Sequence, residues 1–263
     1  MIKPALTKII SLTRSLTPQP LRKVISRLGV IFGEPTLTNF PSIDLTLKYL
    51  KEWGYTPQVV VDVGAYCGNW TEMFKTFFPD ATILMIEPQA SQTDALKKIC
   101  RTYNPTVFLE TNLLGSADGQ EVQFTEMETG SSVFEENNSS VTKNKVTKQL
   151  ITLDSLIQEN YGWNEINFLK IDVQGYELEV LAGALKSLST CEFVLMESSL
   201  IPVNKGCPLI ADVIIFMDKQ GFRLLDFCSQ IRRKDKALWQ TDLLFIREGS
   251  QYLPKAENDR SNW

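Results

Sequence analysis

Between residues 58 and 114 the chain alternates short apolar runs with amphipathic stretches of about ten residues, and this rhythm restricts the fold more than any other feature. Residues 58–63 read as a β-branched strand, 70–78 as a helix, 81–86 as a strand, 91–101 as a helix and 106–114 as a further apolar run. Strands separated by helices pair in parallel through right-handed crossovers. The rhythm resumes with strand 166–171, helix 177–187, strand 193–197, helix 209–220 and strands 222–226 and 242–247. One doubly wound, mostly parallel α/β sheet with an antiparallel last strand accounts for all of it. A preceding helix opens at Ser42, carries Ile43, Leu47, Leu50 and Trp53 on one face, and stops at Gly54. The turn Asp118-Gly119 predicts a hairpin over residues 115–124, and the polar residues 126–148 predict an excursion over the sheet that acts as a lid.

A length of 263 residues with 43% hydrophobic side chains suits one large core or two small ones and excludes a disordered chain. The five cysteines (Cys67, Cys100, Cys191, Cys207 and Cys228) are widely spaced with no C-x-x-C pair, so neither a disulfide framework nor a zinc site is expected. No other ligand cluster has recognisable metal spacing. Histidine is absent, which leaves acid–base chemistry to other side chains. The net charge is −4, yet residues 1–33 carry six basic groups and no acid, leaving −10 on the remainder. That balance argues against a nucleic-acid partner. The expected organisation is a basic helical extension (1–41), one α/β domain (42–249) and a polar tail (250–263).

Within the extension, two amphipathic pieces (5–16 and 21–28) flank Pro18 and Pro20. Their basic, hydroxyl-rich character suits an anionic membrane surface, an organellar transit peptide or a partner; a helical extension packed on the domain is the plainer reading. With no apolar stretch near membrane-spanning length and no secretory leader pattern, a cytoplasmic location is expected, with peripheral membrane contact through residues 1–33 as the open alternative.

The sharpest local feature is Val59-Val60-Val61-Asp62-Val63-Gly64-Ala65-Tyr66-Cys67-Gly68-Asn69-Trp70, a strand running through a glycine loop into a helix. Such a loop lies beyond the carboxyl end of a strand, where open α/β sheets bind ligands, and it points backbone N–H groups toward them. The spacing Asp62-x-Gly64-x-x-x-Gly68 differs from the G-x-G-x-x-G dinucleotide fingerprint, and an acid at Asp62 repels a diphosphate but pairs with an ammonium. The second strand ends in Ile86-Glu87-Pro88, where an acid hydrogen-bonds ribose hydroxyls. S-adenosylmethionine carries both an amino-acid end, for Asp62 and the loop with Gly64, Tyr66, Gly68 and Asn69, and a ribose, for Glu87. The alternatives are ordinary strand-end acids and a nicotinamide dinucleotide. The second constellation, Phe168-Leu169-Lys170-Ile171-Asp172-Val173-Gln174-Gly175-Tyr176-Glu177, brings Asp172 to the same sheet edge, and residues 193–196 deliver Glu197 to the next strand end. Lys170 lies two residues from Asp172 and shares its strand face.

These two motifs, with Glu179-Val180-Leu181-Ala182-Gly183-Ala184, Thr152-Leu153-Asp154-Ser155-Leu156 and Gly130-Ser131-Ser132, resemble the FkbM family of S-adenosylmethionine-dependent methyltransferases over residues 58–200. The resemblance implies a Rossmann-like class I methyltransferase fold, S-adenosylmethionine as cofactor, and O-methylation of a hydroxyl on a sugar, glycan or related natural product. It also places Asn112 and Asp118, after the third strand, near the adenine. The family often has glutamate where this chain has Gln174, and a small residue where it has Tyr176. For the chemistry, Asp172 leads as the base or acceptor-orienting residue, followed by Glu197 and Lys170, while Ser131 and Ser132 fit the acceptor side. An NAD-dependent oxidoreductase and a non-catalytic Rossmann-like binding module are the competing functions.

Overall fold

The computed structural model describes residues 41–126, 144–202, 204 and 206–253. Helix α1 (Ile43–Glu52) precedes β1 (Val59–Val63), α2 (Asn69–Phe77), β2 (Thr82–Ile86), α3 (Thr93–Thr102) and β3 (Val107–Glu110). Next come β4 (Leu113–Leu114), β5 (Glu121–Glu126), β6 (Asn144–Ile151), α4 (Leu153–Asn160) and β7 (Phe168–Ile171). The chain continues through α5 (Glu177–Ala182), α6 (Leu185–Leu188), β8 (Phe193–Ser199), α7 (Ile210–Lys219), β9 (Phe222–Phe227), β10 (Ile231–Arg232) and β11 (Leu238–Arg247).

The main sheet runs β10-β11-β8-β7-β1-β2-β3, with β9 also on β11. Strands β3, β2, β1, β7 and β8 are mutually parallel; β11 is antiparallel to β8 and β9. Alternation along each strand sends successive side chains to opposite faces. Val61, Leu169, Val194 and Phe245 pack under α4, α5, α6 and α7, whereas Val60, Phe168, Phe193 and Leu195 pack under α1, α2 and α3. Two cores on one sheet make the doubly wound architecture. From β1 the chain moves outward to β2 and β3, then returns across the sheet to β7 on the other side of β1. A crevice therefore opens at the carboxyl ends of β1 and β7, where ligands of open α/β sheets bind.

The structure corrects several expectations. Residues 106–114 do not form one strand: β3 ends at Glu110, and β4 joins β5 and β6 in a separate three-stranded sheet, so the main sheet does not take up every strand. The hairpin over 115–124 is also absent. The extended piece after Asp118-Gly119 is β5, whose antiparallel partner is β6. Lys145 and Lys148, assigned to the polar excursion, thus lie in a strand, and residues 127–143, with Ser131 and Ser132, lie outside the described residues. The helix expected over 177–187 is two helices, α5 ending at Ala182 and α6 starting at Leu185; between them Gly183 abuts the Gly115 carbonyl so closely that an added Cβ would sit 2.1 Å from its oxygen. Leu47 and Leu50 are buried, but Trp53 is 46% exposed. Residues 1–40 of the expected extension (1–41) and 254–263 of the expected tail (250–263) also fall outside the described residues.

Candidate active site

A cavity of about 240 Å³ opens at the switch point, lined by Gly64 and Tyr66 from the loop after β1, Glu87, Pro88 and Gln89 after β2, and Asn112 after β3. Asp172, Val173, Gln174 and Tyr176 close it from the turn after β7, and Leu113, Leu114 and Phe124 of the small sheet add an apolar wall. Of the residues singled out from sequence, the structure brings Gly64, Tyr66, Glu87, Asn112 and Asp172 onto one cavity. Asp62, Gly68, Asn69, Asp118, Lys170 and Glu197 are not on its lining.

Glu87 is 3% exposed, and each carboxylate oxygen accepts one backbone N–H: Oε2 from Tyr66 at 2.8 Å and Oε1 from Gln89 at 2.9 Å. Burial raises its pKa above the ordinary value, opposed by these two N–H groups. The glycine loop is correspondingly turned inward. Gly64 and Ala65 donate to the Ile86 carbonyl and Tyr66 to Glu87, so three N–H groups expected to face a ligand instead fix the loop on the end of β2. Gly64 has φ +73°, and a Cβ there would lie 1.9 Å from the Asp172 carbonyl oxygen. The loop after β1 and the end of β7 therefore touch backbone to backbone, a seam that only glycine fits.

Behind the lining runs a charged network on one face of the sheet. Parallel register sets Asp62 beside Lys170. Asp62 is fully buried; its Oδ2 accepts the Thr71 hydroxyl at 2.8 Å and its Oδ1 lies 3.1 Å from Lys170 Nζ. Its expected partner, a ligand ammonium, is replaced by a lysine of the protein itself. Lys170 Nζ also donates to the Gly64 carbonyl at 2.9 Å and lies 3.8 Å from Asp172 Oδ2. Burial acts to lower the Lys170 pKa, but Asp62 and Asp172 outweigh it and hold the ammonium above its ordinary value. Lys170 thus joins the loop after β1 to Asp172 as a buried cation.

Glu197 accepts at Oε2 from Gln174 Nε2 (2.9 Å) and Gln240 Nε2 (2.8 Å). Burial first, then Asp172, Glu177 and Asp242, push its carboxyl up to about 9. Glu177 turns back onto its own turn, accepting from Val173 N and Gly175 N, and burial pushes it up to about 7. Asp118 is engaged elsewhere. Thr152 N–H and the Ser155 hydroxyl bind its carboxylate, lower its pKa and tie the β4–β5 connection to α4, which explains why it does not reach the cavity. Gln89, Asn204 and Gln240 escaped the sequence reading, because uncharged amides carry no motif; Gln174 stood out only as the residue where the family often has glutamate.

The strand order, the glycine loop at the switch point and the strand-end acid on the cavity define a Rossmann-like class I methyltransferase. The methyltransferase FkbM domain matches residues 62–224, well over half of the chain, and the protein belongs to that family, whose methyl donor is S-adenosylmethionine. Among solved structures the chain is similar to magnesium protoporphyrin IX methyltransferase (ChlM) from Synechocystis PCC 6803 with bound SAM, at 11% identity over 78% of this chain and 77% of that one, TM-score 0.45. It is similar to an O-methyltransferase family protein from Burkholderia thailandensis, at 11% identity over 86% of this chain and 59% of that one, TM-score 0.45. Precorrin-6y C5,15-methyltransferase from Geobacter metallireducens GS-15 is similar at 8% identity over 77% and 87%, TM-score 0.42. No curated protein matches the chain. Among the described residues no helix is long and apolar enough to cross a membrane.

Proposed function

We propose that the protein methylates a hydroxyl oxygen of a sugar, glycan or related natural product. The observation that carries this reading is the place of Asp172, whose partly exposed carboxylate lines the same cavity as Gly64, Tyr66 and Glu87. S-adenosylmethionine supplies, when bound, a methyl group made electrophilic by its sulfonium. The residues present fit it. Glu87 retains a lone pair on each oxygen after accepting its two backbone N–H bonds, enough to take ribose hydroxyls, and Gly64 and Asn112 leave room on either side.

Holding donor and acceptor in one cavity supplies much of the rate; effective molarities of well-oriented reactants correspond to about 7–11 kcal/mol. An alcohol must also lose its proton, and Asp172 is the carboxylate on the cavity placed to receive it, a contribution of about 10²–10⁴-fold. Gln174 donates to one of its oxygens at 3.1 Å, and Lys170 lies 3.8 Å from the other. The negative charge outside residues 1–33 favours a small or glycan acceptor over a nucleic acid.

The test incubates the full chain with methyl-labelled S-adenosylmethionine and a panel of saccharides and glycosylated natural products. Label is expected on an oxygen, and Asp172→Asn should lower kcat by about 10²–10⁴-fold while still binding S-adenosylhomocysteine. Label on nitrogen or carbon, or an undiminished Asp172→Asn rate, would overturn the reading.

A further inference from the structure

We infer that Gln174 is a positioning residue whose side-chain amide holds the Asp172 carboxylate at the cavity and apart from Glu197. The inference rests on the assignment of Asp172 as proton acceptor. Gln174 stands at φ +55°, in the left-handed region that an L side chain rarely adopts, and a strained turn of this kind persists only when its surroundings hold it. One such restraint is Asn204, a buried residue between β8 and α7, whose Nδ2 donates to the Gln174 carbonyl at 2.8 Å. The result is an amide set between two acids. Nε2 lies 3.1 Å from Asp172 Oδ1 and 2.9 Å from Glu197 Oε2, and its two hydrogens serve one each.

The charges around Asp172 make that amide consequential. Behind the cavity, Glu177 from α5, Glu197 from β8 and Asp242 from β11 are the acidic groups that interact with Asp172, and the cation beside it is Lys170, which is shared with Asp62 of β1. A glutamate at position 174 would remove both donors and add a negative group between two carboxyls. Both changes favour the protonated form of Asp172 relative to the wild type.

The measurement is the titration of Asp172 in the full chain, labelled with ¹³C at aspartate carboxyls, the resonance being assigned by its loss in Asp172→Asn. Gln174→Glu is expected to move the Asp172 midpoint upward by about one pH unit or more, and Gln174→Met by less. Unchanged midpoints in both folded variants would overturn the inference. The wild type supplies a second test that needs no change at position 174. The Gln174 side-chain N–H resonances should follow the Asp172 titration and lose that response in Asp172→Asn; resonances indifferent to it overturn the contact. An Asp172→Asn enzyme with full activity would instead retire Asp172 as proton acceptor while leaving the Gln174 contact standing, so the two failures are distinct.

Discussion

Glu87 and Asp62 are both buried acids at the ends of parallel strands, and their neighbours separate them. Asp62 has Lys170 and Thr71 against it and is closed off from the cavity. Glu87 has only N–H donors on its two oxygens and lines the cavity, so its remaining acceptor capacity faces a ligand. A hydrogen bond to a charged group contributes about 1.5–3 kcal/mol, and each 1.4 kcal/mol is tenfold in affinity. Glu87→Ala is therefore expected to weaken S-adenosylhomocysteine binding by about 10–100-fold in calorimetric titration. Asp62→Asn should act on stability first, because it removes the counter-charge of a buried lysine. Equal affinity of Glu87→Ala and wild type would show that the ribose is held elsewhere. The sequence motifs offered both acids to a ligand; the register that sets Asp62 beside Lys170 is a long-range fact that no local motif carries.

The loop after β1 and the turn after β7 act as one element, because their backbones meet. At Gly64 an added methyl would strike the Asp172 carbonyl and also impose a side chain at φ +73°. Gly119 offers a matched comparison, with φ +75° and nothing within 4 Å of an added Cβ. Gly119→Ala should cost about 1–2 kcal/mol from conformation alone. Gly64→Ala adds the clash and should cost about 3 kcal/mol or more, read as the shift in urea midpoint. Similar costs for the two would mean that the seam yields. What the sequence displayed at this scale was the alternation of β1, α2, β2, α3, β7 and β8, because each carries its own periodicity. The small sheet was hidden for a physical reason. Leu113 and Leu114 continue the apolar run of β3, and only their partner strand Leu150–Ile151, far along the chain, removes them from it. The close approach at Gly183 was hidden likewise, since the carbonyl against it belongs to Gly115.

For the whole molecule, the placement of several acids on one side of a switch point fixes how stability responds to pH. Glu197 is pushed up to about 9 and Glu177 to about 7, burial leading in both, from ordinary values near 4.5. A carboxyl with a raised pKa holds its proton more tightly in the native than in the unfolded state. Between the two pKa values the native state binds more protons, so stability falls as pH rises through that window. Below pH 4.5 both groups are protonated in the native and the unfolded state, so this stabilisation is fully present and no longer varies with pH. The chain has no histidine, so no imidazole titrates between pH 6 and 8.5 to mask the effect. Lys170, held above its ordinary value by Asp62 and Asp172, changes state only at higher pH. The melting temperature should therefore drop by several degrees from pH 6 to 8.5, at about 2–4 °C per kcal/mol for a domain of this size. Glu197→Gln isolates the larger share, because a glutamine oxygen still accepts from Gln174 and Gln240. It should match wild type near pH 5, exceed it at pH 8.5, and show a shallower slope between. A wild-type melting temperature flat over this range, or a slope untouched in Glu197→Gln, would mean that Glu197 ionises freely and is open to serve as a base after all.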